Sequence, residues 1–159
     1  MNLNSLKNSL TIDKIDKIIE STFKKGTFDD FIVVKNREQM WDGLTSEKKQ
    51  ITPKYSQDPY FKTKEAAIKY ANWKQSITPN TKRDPDTPNL FINGHFYNSL
   101  NNVVNATNIQ VKTTSPLGSD IVKKYPTALG LINDNKMKLI KIFTPYFKQE
   151  FKMKFIKNG

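Results

Sequence analysis

The amino-acid sequence predicts an α+β fold, in which N- and C-terminal helices pack a small antiparallel sheet and a long extended arm protrudes. Three observations indicate it: a hairpin pattern near residues 102–113, helical periodicity at both ends of the chain, and a proline-rich segment at about 45–88. The 159 residues suit a single domain, 1–159. Apolar residues make up 36% of the chain, below the usual roughly 45–50%. We therefore expect exposed arms or a core that other subunits complete.

The N-terminal helix is predicted to begin at Thr11, whose hydroxyl can cap it. Lys24 and Lys25 suit the negative end of the helix dipole, and Gly26 suits the position just after the last turn. Residues 1–10 are polar and lack the apolar run of a signal peptide, so we expect none. Apolar residues follow the cap at helical spacing: Ile12, Ile15, Ile18, Ile19 and Phe23.

The next stretch, residues 27–44, fits two structures. Its apolar run FIVV fits a buried strand, because short apolar runs do not distinguish strand from helix. Alternatively, Thr27 followed by the acidic pair Asp29 and Asp30 fits the start of a capped helix. We favour the helix, which Gly43 would end.

Segment 45–88 contains five of the eight prolines, few aliphatic residues and a set of isolated aromatic residues. One short helix fits it, from Thr63 to about Gln75, and the rest is predicted as loop. The aromatic content argues against simple disorder. Two interpretations remain: an arm that becomes ordered on a partner, or a surface segment that packs its aromatic residues on its own domain. We favour the arm, with the subunit-interface residues Tyr55, Tyr60, Phe61, Tyr70 and Trp73.

Residues 87–100, reading TPNLFINGHFYNSL, join this segment to the second half of the chain. Asn93 and Gly94 form a turn signal, and the residues after it fit a short helix. The stretch contains the only histidine, His95. A general base needs a partner within hydrogen-bond reach, so we expect a lone histidine beside Phe96 to be a packed or surface residue.

Two short elements are predicted before the C-terminal helix. The first is the hairpin, with a polar turn at 105–108 between strands that contain Val103, Val104, Ile109 and Val111. The second is a short helix, capped by Ser119 and Asp120, that reaches Tyr125 and is stopped by Pro126.

The last predicted element is a helix that begins at Asn133 or Asp134 and runs toward Ile156. Pro145 either kinks it or, with Thr144 as a cap, begins a second helix. The apolar arc is wide, which fits either burial on two sides, one of them against a neighbouring subunit, or a helix central to its own core. The residues of this arc are Leu139, Ile140, Ile142, Phe143, Tyr146, Phe147, Phe151 and Met153.

The chain is basic, with a net charge of +11. Residues 136–157 contain seven lysines and one acid, Glu150, so more than half of the net charge lies there. This balance indicates either a polyanionic neighbour or the bias of a lysine-rich proteome. Lysines can hold a phosphate backbone without reading bases, whereas a solvated helix face is the alternative. The candidate DNA-facing residues are Lys138, Lys141, Lys148 and Lys152.

Several classes of chemistry lack a sequence signature. The absence of cysteine excludes disulfides, thiolate zinc sites and cysteine nucleophiles. The acids are scattered, and nothing completes an oxygen shell around Asp84 and Asp86. There is no glycine-rich phosphate loop and no apolar run long enough to span a membrane. We therefore predict no catalytic residue, no metal, no cofactor, no membrane partner and no enzymatic activity.

Three motifs carry a resemblance to a known family. They are an amide pair before a tryptophan–glycine motif, a proline–tyrosine segment with a following lysine, and a leucine before glycine, aromatic and serine residues. Over about residues 30–150, this pattern resembles the tail-completion or head–tail joining proteins of tailed phages, sometimes labelled virion morphogenesis or minor capsid proteins. The motif residues are Asn36, Gln39, Trp41-Asp42-Gly43-Leu44, Pro53-Lys54-Tyr55-Ser56, Tyr60, Lys62, Asn89-Leu90-Phe91, Gly94, Phe96-Tyr97 and Ser99.

The resemblance implies a structural virion protein that forms a homo-oligomeric ring at the phage neck and joins the DNA-filled head to the tail. Its partners would be copies of itself, portal or adaptor proteins and tail proteins, with DNA passing through the lumen in non-specific contact. It would be assembled in the host cytoplasm and reside in the neck or tail of the virion. Turn and packing roles are implied for Leu90, Gly94, Phe96, Tyr97 and Ser99. The alternative function is a small basic nucleic-acid-binding accessory protein of a phage.

Overall fold

The computed structural model describes residues 11–25, 28–104 and 108–155. These residues form six α-helices, one 3-10 helix and a two-stranded antiparallel sheet, which confirms the α+β class. In chain order the elements are α1 (Ile12–Lys25), α2 (Phe28–Trp41), the 3-10 helix (Tyr55–Gln57), α3 (Lys64–Ile77), α4 (His95–Asn98), β1 (Leu100–Val104), β2 (Ile109–Thr113), α5 (Gly118–Lys124) and α6 (Asn133–Phe155).

Helix α2 settles the ambiguity at 27–44 in favour of the helix. Its end is fixed by Gly43, which adopts the left-handed region with a φ of 71°. The N–H of Gly43 donates to the carbonyl of Met40, and the N–H of Leu44 donates to that of Gln39. This pair of bonds is the Schellman motif, in which a glycine satisfies the last carbonyls of a helix. The position predicted to follow the N-terminal helix, Gly26, and the predicted cap of the next helix, Thr27, lie outside the described residues.

Helix α2 also joins two apolar cores. Near its C-terminal end, Met40 packs in a cluster with Ile51, Phe96, Tyr97, Leu100, Tyr125 and Ala128. Near its N-terminal end, Phe28 and Ile32 pack in a second cluster with Phe23, Leu131 and Leu139. Helices α1 and α6 contribute Phe23 and Leu139 to the second cluster, so both helices pack on the domain as predicted.

The predicted hairpin is present. Strands β1 and β2 pair antiparallel, with Leu100 opposite Thr113 and Val104 opposite Ile109. Of the predicted turn, residues 105–107 lie outside the described residues. The hairpin is tied to α4 by the Ser99 hydroxyl, which lies 2.7 Å from the Thr113 hydroxyl.

Helix α5 begins earlier than the sequence predicts. Its first residue is Gly118, so Ser119 and Asp120 lie inside the first turn and the predicted side-chain cap is wrong. The chain enters the helix through a turn in which the Gly118 N–H donates to the Ser115 carbonyl at 2.9 Å, so that Leu117 holds the cap position. A Cβ at Gly118 would lie 2.2 Å from the Thr113 hydroxyl oxygen, so this contact requires a glycine. The Ser119 hydroxyl instead donates to the carbonyl of Pro116, at 3.2 Å.

Helix α6 is continuous from Asn133 to Phe155, with Pro145 inside it. The alternative of a second helix capped by Thr144 is therefore wrong. Thr144 instead donates its hydroxyl to the Ile140 carbonyl of the preceding turn, at 2.7 Å. Among the described helices, α6 included, none is long and apolar enough to cross a bilayer.

Segment 45–88 lies against the domain, so the favoured interpretation of a protruding arm is wrong and the second interpretation holds. Ile51 is fully buried in the first core, and Arg83 is buried as well. The Arg83 guanidinium donates to the carbonyls of Thr87 and Thr78, at 2.7 and 3.1 Å. These bonds hold the loop after α3 in one conformation, and the Asn80 side-chain amide ties the loop to the rest of the domain by donating to the Trp41 carbonyl at 3.0 Å. The predicted helix within the segment is confirmed as α3, where the Thr63 hydroxyl accepts from the third residue of the helix.

Candidate functional site

The five aromatic residues proposed as interface residues of segment 45–88 lie together. Tyr70 is the central ring: its centroid lies 5.0 Å from Tyr55, 5.1 Å from Phe61 and 5.3 Å from Trp73. Tyr60 extends the series, with its centroid 5.2 Å from Phe61. These separations fall within the roughly 4.5–7 Å range of favourable ring pairs. We call this set the aromatic ladder.

Local structure explains why these rings converge. Tyr70 and Trp73 are three residues apart on α3 and so share one side of it. The small residues Ala67 and Ala71 leave room beneath them, and Tyr55 fills it.

The 3-10 helix that carries Tyr55 is held by the loop at 84–86. The Tyr55 N–H donates to the Asp86 carbonyl at 2.9 Å, and the Lys54 amine lies 2.6 Å from an Asp84 carboxylate oxygen. The hydrogen bond from Lys54 holds the pKa of Asp84 below its ordinary value. Asp84 and Asp86, which the sequence places together in a loop, thus anchor the ladder.

The ladder is buried at one end and exposed at the other. Tyr55 is buried, whereas Tyr60 is 80% exposed and Trp73 is 46% exposed. Burial raises the pKa of Tyr55 well above its ordinary value. Large aromatic residues are enriched at protein interfaces, where they supply much of the binding energy. The exposed end of the ladder therefore has the composition of an interface.

A groove of about 520 Å³ runs beside the ladder. Its walls include ladder rings, Phe91 from the 87–100 stretch, and Tyr125 with Lys124 from the end of α5. Lys74 of α3 also lines the groove, and its side chain is 1% exposed. Burial, and then the nearby Arg83, lower the pKa of Lys74 from 10.5 to about 8.

Lys74 and Arg83 are the residues that the sequence analysis missed. Lysine and arginine are almost never fully buried without a partner, so their identity predicts exposure. The spacing held a signal, because Lys74 follows Ala67 by seven residues and Ala71 by three, which places it on the buried side of α3.

The amide residues of the first motif have a structural role. The buried side-chain amide of Asn36 donates to the carbonyls of Ala128 and Gly130, both at 3.0 Å. Gln39 donates to the same Gly130 carbonyl at 2.9 Å and accepts from the Ile132 N–H at 3.0 Å. The amide pair thus fixes the loop that precedes α6.

The third motif lies around α4. Gly94 has a φ of 83° and occupies the cap position just before the helix, and Leu90 has a φ of 56°. Phe96 and Tyr97 are buried in the first core, and the Tyr97 hydroxyl donates to the carbonyl of Asn89 at 2.5 Å. Burial raises the pKa of Tyr97 well above its ordinary value. The geometry is that of a turn followed by a packing anchor.

Helix α6 presents the four candidate DNA-facing lysines on one side. Lys138, Lys141, Lys148 and Lys152 are all exposed, and at 3.6 residues per turn they fall within about 80° of one another around the helix. We call them the lysine ridge. Beside the ridge, within about 40° of one another by the same geometry, lie the exposed Ile142, Tyr146 and Met153, which we call the α6 stripe.

His95 is the exposed first residue of α4, and its N–H donates to the Asn93 side chain at 3.2 Å. In the described ranges, no three histidine or acidic residues group closely enough to hold a metal ion. Comparisons of the chain with protein-family models, with curated proteins and with solved structures find no match.

Proposed function

We propose that the chain is a structural virion protein that forms a homo-oligomeric ring at the phage neck and joins the portal or adaptor side of the head to the tail. The observation that carries the proposal is the aromatic ladder, whose exposed end leaves Tyr60 and Trp73 without the cover that such side chains usually have. The three motifs behind the resemblance support it, since their residues build the fold and its surfaces.

A second exposed apolar surface, the α6 stripe, favours assembly of the subunits into a ring. The ladder lies on α3 and the 3-10 helix, whereas the α6 stripe lies on the C-terminal helix. A contact between two different patches of the same chain is heterologous, and heterologous contacts that close produce rings. We therefore pair the ladder of one subunit with the α6 stripe of the next.

Light scattering on the purified chain tests the assembly step. We expect a discrete oligomer that the double substitution Tyr60→Ser, Trp73→Ser dissociates. Ile68→Ser is the matched control, because Ile68 is 47% exposed on α3 but lies about 140° around the helix from Trp73. Immunogold labelling of tailed particles from the source of the sequence tests the location. A strict monomer that is missing from such particles would refute the proposal.

The second candidate function, a nucleic-acid-binding accessory protein, is favoured by the lysine ridge. Each phosphate contact adds about −0.9 to the slope of log affinity against log salt on duplex DNA. The double substitution Lys141→Gln, Lys148→Gln is therefore expected to reduce the slope by up to about 1.8. Lys136→Gln, Lys154→Gln is the control, because it removes equal charge from roughly the opposite side of α6. Equal effects of the two pairs would show that only total charge matters.

A further inference from the structure

A set of buried donors lies beside the ladder, and one of them belongs to Lys74, which lines the groove. Among the described residues, four neighbouring side chains have a buried nitrogen or hydroxyl without a hydrogen-bond partner: Lys74 Nζ, Arg83 Nε, Thr87 Oγ1 and Asn89 Nδ2. Arg83 acts electrostatically on Lys74, and its guanidinium donates to the Thr87 carbonyl. Each unpartnered buried donor costs about 1–3 kcal/mol, and more if charged. The missing group is therefore an acceptor.

The charges of the groove show that the acceptor is an anion. Two carboxylates line it, and each is paired: Asp58 with Lys124, and Asp120 with Lys123 of the same helix. Lys74 has no carboxylate partner within the described part of the chain. Its Nζ lies 6.0 Å from the centroid of Phe91, which also lines the groove. A buried cation of this kind is stabilised by a carboxylate brought from outside.

The size and walls of the groove indicate what kind of molecule brings that carboxylate. A volume of about 520 Å³ lies in the roughly 300–1,000 Å³ range that holds drug-sized ligands, so it admits several side chains. The walls include the rings of Tyr55, Tyr70 and Phe91. Apolar residues on either side of an acid can therefore pack on these rings, which a small free acid cannot do.

We propose that the groove binds an acidic peptide segment of a partner protein, with a glutamate or aspartate carboxylate paired to Lys74 and its apolar neighbours packed on Tyr70 and Phe91 of the groove wall, which leaves the exposed Trp73 to the next subunit. The proposal rests on the proposed function in one respect, that the partner belongs to the same assembly. Lys74 lines the groove, and its buried Nζ has no hydrogen-bond partner among the described residues.

Fluorescence anisotropy with rhodamine-labelled tripeptides tests the proposal on the full chain. The probes are blocked leucine–glutamate–leucine and its glutamine counterpart, with free acetate as competitor. We expect the glutamate probe to bind about tenfold more tightly than the glutamine probe. Lys74→Met is expected to remove this preference, whereas Lys69→Met, an exposed change on the same helix, preserves it.

Three results would overturn the proposal: equal binding of the two probes, a preference that survives Lys74→Met, or free acetate that competes as well as the unlabelled glutamate peptide. The last would identify a small-anion site. Light scattering on the same samples separates this proposal from the proposed function. Loss of the glutamate preference in an intact oligomer refutes only the groove, and a monomer that retains the preference refutes only the ring.

Discussion

Replacing Lys74 with methionine is expected to stabilise the folded chain. The substitution keeps an unbranched side chain in the same space and removes the buried ammonium. A fall in the pKa of Lys74 from 10.5 to about 8 corresponds to about 3 kcal/mol, at about 1.4 kcal/mol per unit. Water that reaches the amine through the groove lowers this figure, so we expect a gain of about 2 kcal/mol at pH 7.

Urea denaturation at pH 7 measures this gain, and thermal unfolding should show a rise in Tm of about 4–8 °C for a chain of this size. The control is Lys69→Met, which removes the same charge from the exposed side of α3 and should change stability by less than about 0.5 kcal/mol. A destabilised Lys74→Met variant, or an equal gain from Lys69→Met, would refute the assignment of a buried, uncompensated cation.

The stability gain of Lys74→Met is also expected to depend on pH. Because the folded pKa of Lys74 is lower than the unfolded value, the unfolded state binds more protons between about pH 8 and 10.5. The charge on Lys74 therefore costs its full amount below pH 8, and the cost fades as the pH rises through that window. The stability difference between Lys74→Met and the wild type should shrink to less than half between pH 7 and pH 10. Both proteins contain the same tyrosines, so the effect of tyrosine titration cancels in this difference. Tyr125 is one of them, and burial raises its pKa to about 12.

Three further substitutions address the fold and the histidine. Asn36→Ala should destabilise the chain by about 1–3 kcal/mol in urea denaturation, since it leaves the Ala128 carbonyl without this donor and removes one of the two side-chain donors to the Gly130 carbonyl. Gly43→Ala should cost about 2 kcal/mol or more by the same assay, because the backbone is left-handed there and the added Cβ would lie 2.7 Å from a Thr87 methyl carbon. His95→Ala should change neither stability, by more than about 0.5 kcal/mol, nor the oligomer seen by light scattering, since His95 is exposed. A large effect of His95→Ala on either readout would contradict its assignment as a surface residue.

Local signals in the sequence predict most of the elements. Helix α2 ends where Gly43 supplies a left-handed residue, and α3 begins where Thr63 supplies a cap. The alternation of Ile109 and Val111 identifies β2 without the turn that precedes it. In each case the deciding interaction lies within a few residues of the signal, so a single stretch of sequence contains it.

The predictions that are wrong concern features set by contacts between elements. Gly118, the first residue of α5, packs against Thr113 at the end of β2, whose hydroxyl oxygen would lie 2.2 Å from a Cβ at Gly118. The position of segment 45–88 depends on contacts with other parts of the chain: Ile51 is buried in the first core, and the Asn80 side-chain amide donates to the Trp41 carbonyl. The aromatic residues of the ladder were identifiable as a set, but their convergence on Tyr70 required the fold of the intervening loop.

Lys74 affects both the stability of the fold and the proposed binding of an acidic segment. A buried ammonium without an acceptor lowers the stability of its own fold, and a methionine or leucine would fill the same position at less cost. Local choices that oppose stability are typical of functional sites. Here the unfavourable lysine lines a groove whose acids are already paired and whose wall includes rings of the aromatic ladder. The same substitution is therefore expected to raise the stability of the chain and to abolish its preference for an acidic segment, and only a binding role for Lys74 predicts both.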